Sequence, residues 1–154
     1  MKVHEIYTPG AVHIPQSCNL QEAAVQMRKQ HVGALIVTDG MSERGTLGII
    51  TDRDMVLKAI ANGASPLSTL VAEVMTPGAV TISRSAELTD AMQAMFSHGV
   101  RRLVVTEDDE TVLGLLALDD VIEALGRDWV LLTSILRSEQ QRERTGSVQS
   151  PLHP

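Results

Sequence analysis

Residues 3–39 and 71–107 are two versions of one 37-residue segment, aligned without a gap and identical at 16 positions. Unrelated segments of ordinary composition would share about two. The shared run Thr8-Pro9-Gly10-Ala11-Val12 returns whole as Thr76-Pro77-Gly78-Ala79-Val80. After a loop two residues longer in the first copy, the copies rejoin at Leu47-Gly48-Ile49-Ile50 and Leu113-Gly114-Leu115-Leu116. A unit this short cannot bury both faces of a small sheet alone, so the copies are expected to pack on one another as a pseudo-twofold pair. The crevice between them is the first place to seek a binding site.

Each copy switches hydrophobic period in the same order. Ala11-Val12-His13-Ile14 is a short extended segment that stops at Pro15, which cannot continue a central strand. From Asn19 to Gln30 the apolar positions Leu20, Ala23, Ala24 and Met27 recur at helical spacing, with Ser17 or a residue just after it as the cap. Ala34–Val37 and Leu47–Ile50 are apolar runs fit for buried strands, joined by a turn-rich loop over 39–45. A second helix starts near Asp52 or Arg53, presents Met55, Val56, Ala59 and Ile60, and ends at Asn62-Gly63. Copy two repeats the pattern with Val80-Thr81-Ile82, the helical positions Leu88, Ala91, Met92, Met95 and Phe96, strands at Leu103–Val105 and Leu113–Leu116, and a closing helix from Asp119 or Asp120 to about Leu125. The expectation is an α+β fold of two β-α-β-β-α repeats with three-stranded sheets, repeat one over 3–63 and repeat two over 64–126. A separate amphipathic helix follows at 127–144, with Trp129, Leu132, Ile135 and Leu136 on its apolar side, and a flexible tail at 145–154.

The 154 residues are 44% hydrophobic and only 2% aromatic, with mean hydropathy +0.06, so the core is aliphatic. A base pocket here must be built from Val, Ile, Leu and Met, and single-stranded nucleic acid, which stacks on aromatic platforms, is disfavoured. A net charge of −6 argues against DNA and RNA in general. Cys18 is the single cysteine, which excludes a disulfide framework. His4, His13, His31, His98 and His153 lack metal-ligand spacing, and no metal site is expected. No secretory or membrane-spanning run is present, and the expectation is a soluble cytoplasmic protein.

In copy one, Val12-His13-Ile14-Pro15, Gly33–Val37 and Gly48-Ile49-Ile50-Thr51-Asp52-Arg53-Asp54 follow one another. In copy two, Val74-Met75-Thr76-Pro77, Val80-Thr81-Ile82, Gly99–Val105 and Gly114–Asp120 do so in the same order. With these strings the sequence resembles the CBS-domain family, as a tandem pair over roughly residues 3–126. The resemblance implies a regulatory module that holds an adenosine-containing ligand (AMP, ADP, ATP, NAD or S-adenosylmethionine) between the repeats. Gly48–Asp54 meets the family's Gly-h-h-Thr-x-x-Asp signature in full. Asp54 is implied to accept hydrogen bonds from the ribose hydroxyls, and Thr51 to meet a phosphate oxygen at the helix N-terminus, with Arg53 beside it. Thr76, Val80 and Ile82 would line the adenine, and Arg101 and Arg102 would reach towards phosphates.

A second, weaker site would combine Thr8, Ala11, His13 and Gly33 with Asp120. There Ala117 replaces the signature Thr, and Gly33-Ala34 replaces the arginine pair, so the two clefts differ.

Plainer roles stand beside these. Asp54 and Asp120 each open a helix, where a carboxylate also serves the dipole. Arg101 or Arg102 could pair only with Asp119 or Glu107. Cys18, next to a helix start, could have a lowered pKa, although a small buried thiol fits better. The expected partner is a second copy in a homodimer, and Trp129 is expected to anchor the last helix. Two other function classes are a ligand-free interaction module and a metal-dependent phosphotransfer enzyme. The second lacks an acid/base pair, a nucleophile or a Gly-x-x-x-x-Gly-Lys loop, and no catalytic activity is expected.

Overall fold

The computed structural model describes residues 1–41 and 45–146. The expected flexible tail lies outside the described residues from position 147 onward, as does the middle of the loop at 42–44. The chain divides into two units, Met1–Leu118 and Asp119–Pro154.

The first unit contains β1 (Thr8–Pro9), β2 (His13–Pro15), α1 (Leu20–Gln30), β3 (Ala34–Thr38) and β4 (Gly48–Thr51). The helical stretch after β4 is α2 (Asp52–Asp54), a π turn (Met55–Ala59) and a 3-10 turn (Ile60–Asn62), closed by Gly63 at φ +72°. Then come α3 (Val71–Val74), β5 (Thr76–Pro77), β6 (Thr81–Ser83), α4 (Leu88–His98), β7 (Arg102–Thr106) and β8 (Val112–Ala117).

These strands form two sheets of four rather than the three expected, in the orders β2-β3-β4-β5 and β1-β8-β7-β6. The fourth strand of each sheet is the Thr-Pro leader of the other copy. Thr76 and Pro77 pair antiparallel with Ile49 and Gly48, while Thr8 and Pro9 pair with Leu115 and Gly114. A strand of two residues, one of them proline, carries no periodic signal, so the exchange is invisible in the hydrophobic pattern. The leaders are exchanged further upstream too. Val3 N–H donates to the Ala86 carbonyl and Val71 N–H to that of Cys18, and the bridges Lys2–Glu87 and Asn19–Leu70 are the same contact seen twice.

The two glycines of these pairings are required by the exchange. A Cβ on Gly48 would overlap the Thr76 carbonyl oxygen, and one on Gly114 would overlap the Thr8 carbonyl oxygen and the Tyr7 ring. The Gly of the signature therefore serves close approach of the other repeat's backbone.

As the aromatic count requires, the core is aliphatic. Ile14, Leu20, Ala23, Met27, Leu35, Val37, Ile50, Ala59, Val71 and Val74 form one buried cluster. Each fully buried Leu, Ile or Val contributes about 1.5–3 kcal/mol. The cluster joins residues of both copies, since Val71 and Val74 belong to the second leader. Some apolar positions expected on buried helix faces are instead exposed: Val56 by 51%, Ile60 by 67% and Phe96 by 83%.

α1 is capped by Asn19, whose side-chain oxygen accepts from Glu22 N–H at 2.9 Å while Glu22 returns the bond to Asn19 N–H at 2.8 Å. Asn19, and not Ser17, is the cap, because only Asn19 has an acidic residue three positions on to complete the reciprocal pair.

The second unit is dominated by α5 (Leu118–Thr145), a single helix of 28 residues. Two helices broken at Gly126 were expected. Glycine in a helix interior costs about 1 kcal/mol relative to alanine, too little to break a helix with good formers on both sides. An Arg127–Glu123 ion pair also spans that position. Val121 and Ala124 are buried, whereas Ile122, Leu125, Trp129, Val130, Leu131, Leu132, Ile135 and Leu136 are exposed by 38–69%. Among the described residues no helix is long and apolar enough to cross a membrane.

Candidate functional site

β4 ends at Thr51 in extended backbone and α2 begins at once, so the signature sits on a strand-to-helix corner. Thr51 Oγ1 accepts from Asp54 N–H at 3.0 Å, and Asp54 Oδ2 accepts from Thr51 N–H at 3.1 Å. Such a reciprocal cap is worth about 1 kcal/mol. It also fixes the carboxylate, which is 17% exposed, at the end of the sheet.

The other carboxylate oxygen of Asp54, Oδ1, lies 3.2 Å from Lys58 Nζ, one helical turn on. The same ammonium donates to Thr76 Oγ1 at 3.2 Å and to the Val74 carbonyl at 3.4 Å. Lys58 thus ties Thr51 and Asp54 of the first repeat to Thr76 of the second leader. Sequence reasoning missed it. The signal present was the i,i+4 spacing from Asp54, which on a helix places opposite charges side by side. Its link to Thr76 follows only from the β4–β5 pairing.

The remaining candidates of this first site stand on the other sheet. Val80 precedes β6, and its carbonyl accepts from Val104 N–H at 2.9 Å. Ile82 pairs with Val105 in the parallel β6–β7 ladder, and Arg102 opens β7 opposite Ala117. The four-residue step from Thr76 to Val80 therefore straps one sheet to the other. Arg102 is half-buried, while Arg101 and Arg53 are exposed. Glu107 is occupied by Arg84 at 2.8 Å, an exchange that holds the Arg84 guanidinium pKa above its ordinary value.

Of the second set, Thr8 is in β1 opposite Leu115, Ala11 precedes β2, and Asp120 lies in the first turn of α5, in the other unit. Gly33 faces Asp52: its carbonyl accepts from Asp52 N–H at 3.0 Å, and a Cβ there would stand 3.1 Å from the Asp52 carboxylate. The equivalent position in copy two carries Arg101, whose carbonyl accepts from Leu118 N–H at 2.9 Å. The backbone is therefore repeated while the charge is not.

His13 lines a cleft of about 320 Å³ on the first repeat, with Pro15, Cys18, Gln21, Glu22 and Gln26. Its Nδ1 is buried with no hydrogen-bond partner among the described residues. Thr8, Ala11 and Gly33 do not line that cleft. Burial first, then the neighbouring Glu22 carboxylate, push the Cys18 thiol pKa up, the reverse of the lowering that a helix start could give. Among the described residues no group of three or more His, Cys, Asp or Glu is placed to hold a metal ion.

Comparison with known proteins gives a consistent picture. The CBS domain model matches residues 3–60 and 71–127. YlbB of Bacillus subtilis is 32% identical over 151 residues, covering 98% of this chain and 90% of that protein. The CBS domain-containing protein YhcV of the same organism is 35% identical, with 77% of this chain and 81% of YhcV covered. The match to MK0525 of Methanopyrus kandleri, 28% identical over 66% of this chain, takes in about half of that protein, 51%. Among solved structures, the CBS domain protein PAE2072 of Pyrobaculum aerophilum, complexed with AMP, superposes with a TM-score of 0.68 at 21% identity, covering 78% of this chain and 89% of that one.

Proposed function

The chain belongs to the CBS-domain family, carrying the domain twice in tandem, and from that premise we propose that it is a regulatory module that binds an adenosine-containing ligand between its repeats, taken as residues 3–63 and 64–126. The observation that carries the reading is the Thr51–Asp54 corner. A carboxylate held by its own backbone cap, 3.2 Å from a cation and linked through it to Thr76, is pre-oriented to accept from a vicinal diol. A neutral sugar brings it no charge conflict. Val80 and Ile82 offer the aliphatic contacts that a purine needs in a chain so poor in aromatic residues, and Arg101 and Arg102 supply cationic forks for phosphate. PAE2072, with its bound AMP, is a fold relative whose ligand has this chemistry.

Of the second set, Thr8, Ala11 and Gly33 are proposed as the lesser cleft, within the first unit, while His13 lines a separate cleft and Asp120 belongs to the other unit. The lesser cleft has a glycine at the position of an arginine, and a carboxylate, Asp52, close by, so it favours a ligand with fewer phosphates. Signalling is proposed to run through a homodimer, because Val56, Leu57, Ile60 and Phe96 and the apolar side of α5 are left exposed.

A thermal-shift panel of AMP, ADP, ATP, NAD and S-adenosylmethionine tests the reading. A ligand at about 100 times its Kd stabilises by roughly 2.7 kcal/mol, and Asp54→Ala is expected to erase the shift. No shift with any of the five would leave an interaction module without a nucleotide ligand. Turnover of ATP or NAD that disappears in Asp54→Ala would make the protein an enzyme.

A further inference from the structure

We propose that Lys58 is the residue that reads a 5′-phosphate in this cleft, so that it sets the preference for a nucleotide over a nucleoside. The inference rests on the reading of Asp54 as the ribose acceptor.

The ammonium of Lys58 has three donors, and three acceptors surround it: Asp54 Oδ1 and Thr76 Oγ1, each at 3.2 Å, and the Val74 carbonyl at 3.4 Å. The contact at 3.4 Å is the weakest, beyond the usual range for N–H···O. A phosphate dianion is a far stronger acceptor than a neutral carbonyl or hydroxyl, so the ammonium can turn towards it while keeping Asp54. Thr76 Oγ1 can donate its own proton to the same phosphate, whether or not it accepts from Lys58.

Electrostatics requires such a group. Asp52 and Asp54 both lie in α2, and the Asp54 side chain is 17% exposed. A phosphate brought beside a poorly solvated carboxylate is repelled unless a cation stands between them. Lys58 touches Asp54, and its side chain is 47% exposed, so a ligand can reach it. Lys58 also lies within the π turn Met55–Ala59, an interruption of regular helix of the kind that gathers at functional sites.

Titration calorimetry with adenosine and with AMP, on the wild type, Lys58→Met, Lys58→Arg and Asp54→Asn, tests the assignment. A charge-assisted hydrogen bond predicts that Lys58→Met weakens AMP roughly tenfold more than it weakens adenosine. Lys58→Arg should recover most of the preference. Equal losses for the two ligands in Lys58→Met, or an unchanged ratio, would overturn the phosphate role while leaving the ribose site standing. Failure of both ligands to bind the wild type, or binding untouched by Asp54→Asn, would overturn the ribose site and the Lys58 assignment with it. Thermal melts of each variant establish that the compared proteins are folded.

Discussion

Single residues in this chain are decided by their near neighbours along the sequence or by partners far away in it, and only the first kind can be anticipated. Asn19 is of the first kind: its bond to Glu22 is a three-residue affair. Asp54 is too, because Thr51-x-x-Asp54 closes on itself at a helix start. Lys58 is of the second kind. Its contacts with Thr76 and Val74 cross 16–18 positions and exist because a leader strand is delivered to β4. Cys18 shows how environment reverses a local rule. A helix start lowers a thiol's pKa, but Cys18 is partly buried beside the Glu22 carboxylate, and both raise it. At a given pH less thiolate is present than in a free cysteine. Alkylation by iodoacetamide is therefore expected to lag behind a model thiol, with its pH profile displaced upward. Glu22→Gln keeps a helix-capping side chain and removes the charge, and should restore part of the rate. Alkylation as fast as that of glutathione at pH 8 would refute the assignment.

At the level of elements, the longer periodic segments were legible and the exchanged ones were not. Strands β3, β4, β7 and β8 and helices α1 and α4 fall where apolar spacing puts them. Each of β1 and β5 is a Thr-Pro pair, and no period can be read from two residues. Gly126 misled in the opposite sense, since a glycine that meets nothing is easily carried within a long helix. Gly48 and Gly114 are a different case. Their missing side chains make room for the backbone of Thr76 and Thr8, so Gly48→Ala forces β5 away from β4. The expected cost is about 1–3 kcal/mol, as for other overpacked sites, read as a lower chemical-denaturation midpoint. The same change at Gly126 should be neutral or slightly stabilising. Equal effects at the two positions would contradict the close-approach argument. Gly48→Ala should also weaken ligand binding, because Thr76 rides on β5.

For the molecule as a whole, the twofold repetition of the sequence announced the paired architecture, and the scarcity of aromatic residues announced an aliphatic core. What neither announced is how much apolar surface is left over. On α5, Ile122, Leu125, Trp129, Leu132 and Leu136 follow one another at steps of three and four, and all are exposed. A stripe of this kind favours self-association, and sedimentation equilibrium at micromolar protein is expected to find a dimer. The double change Trp129→Glu and Leu132→Glu should weaken it at least tenfold, since central aromatic residues dominate such interfaces. A wild-type chain that stays monomeric at about 100 micromolar would dismiss the homodimer.

The trade of Thr-Pro leaders has an older implication. A lone ancestral copy would have shown a raw sheet edge beside its glycine, and only another polypeptide's leader could have covered it. A lone copy would need a second chain for that, and dilution would take such a pair apart. Joining the copies end to end replaced that dependence on abundance with the fixed local concentration of a tether.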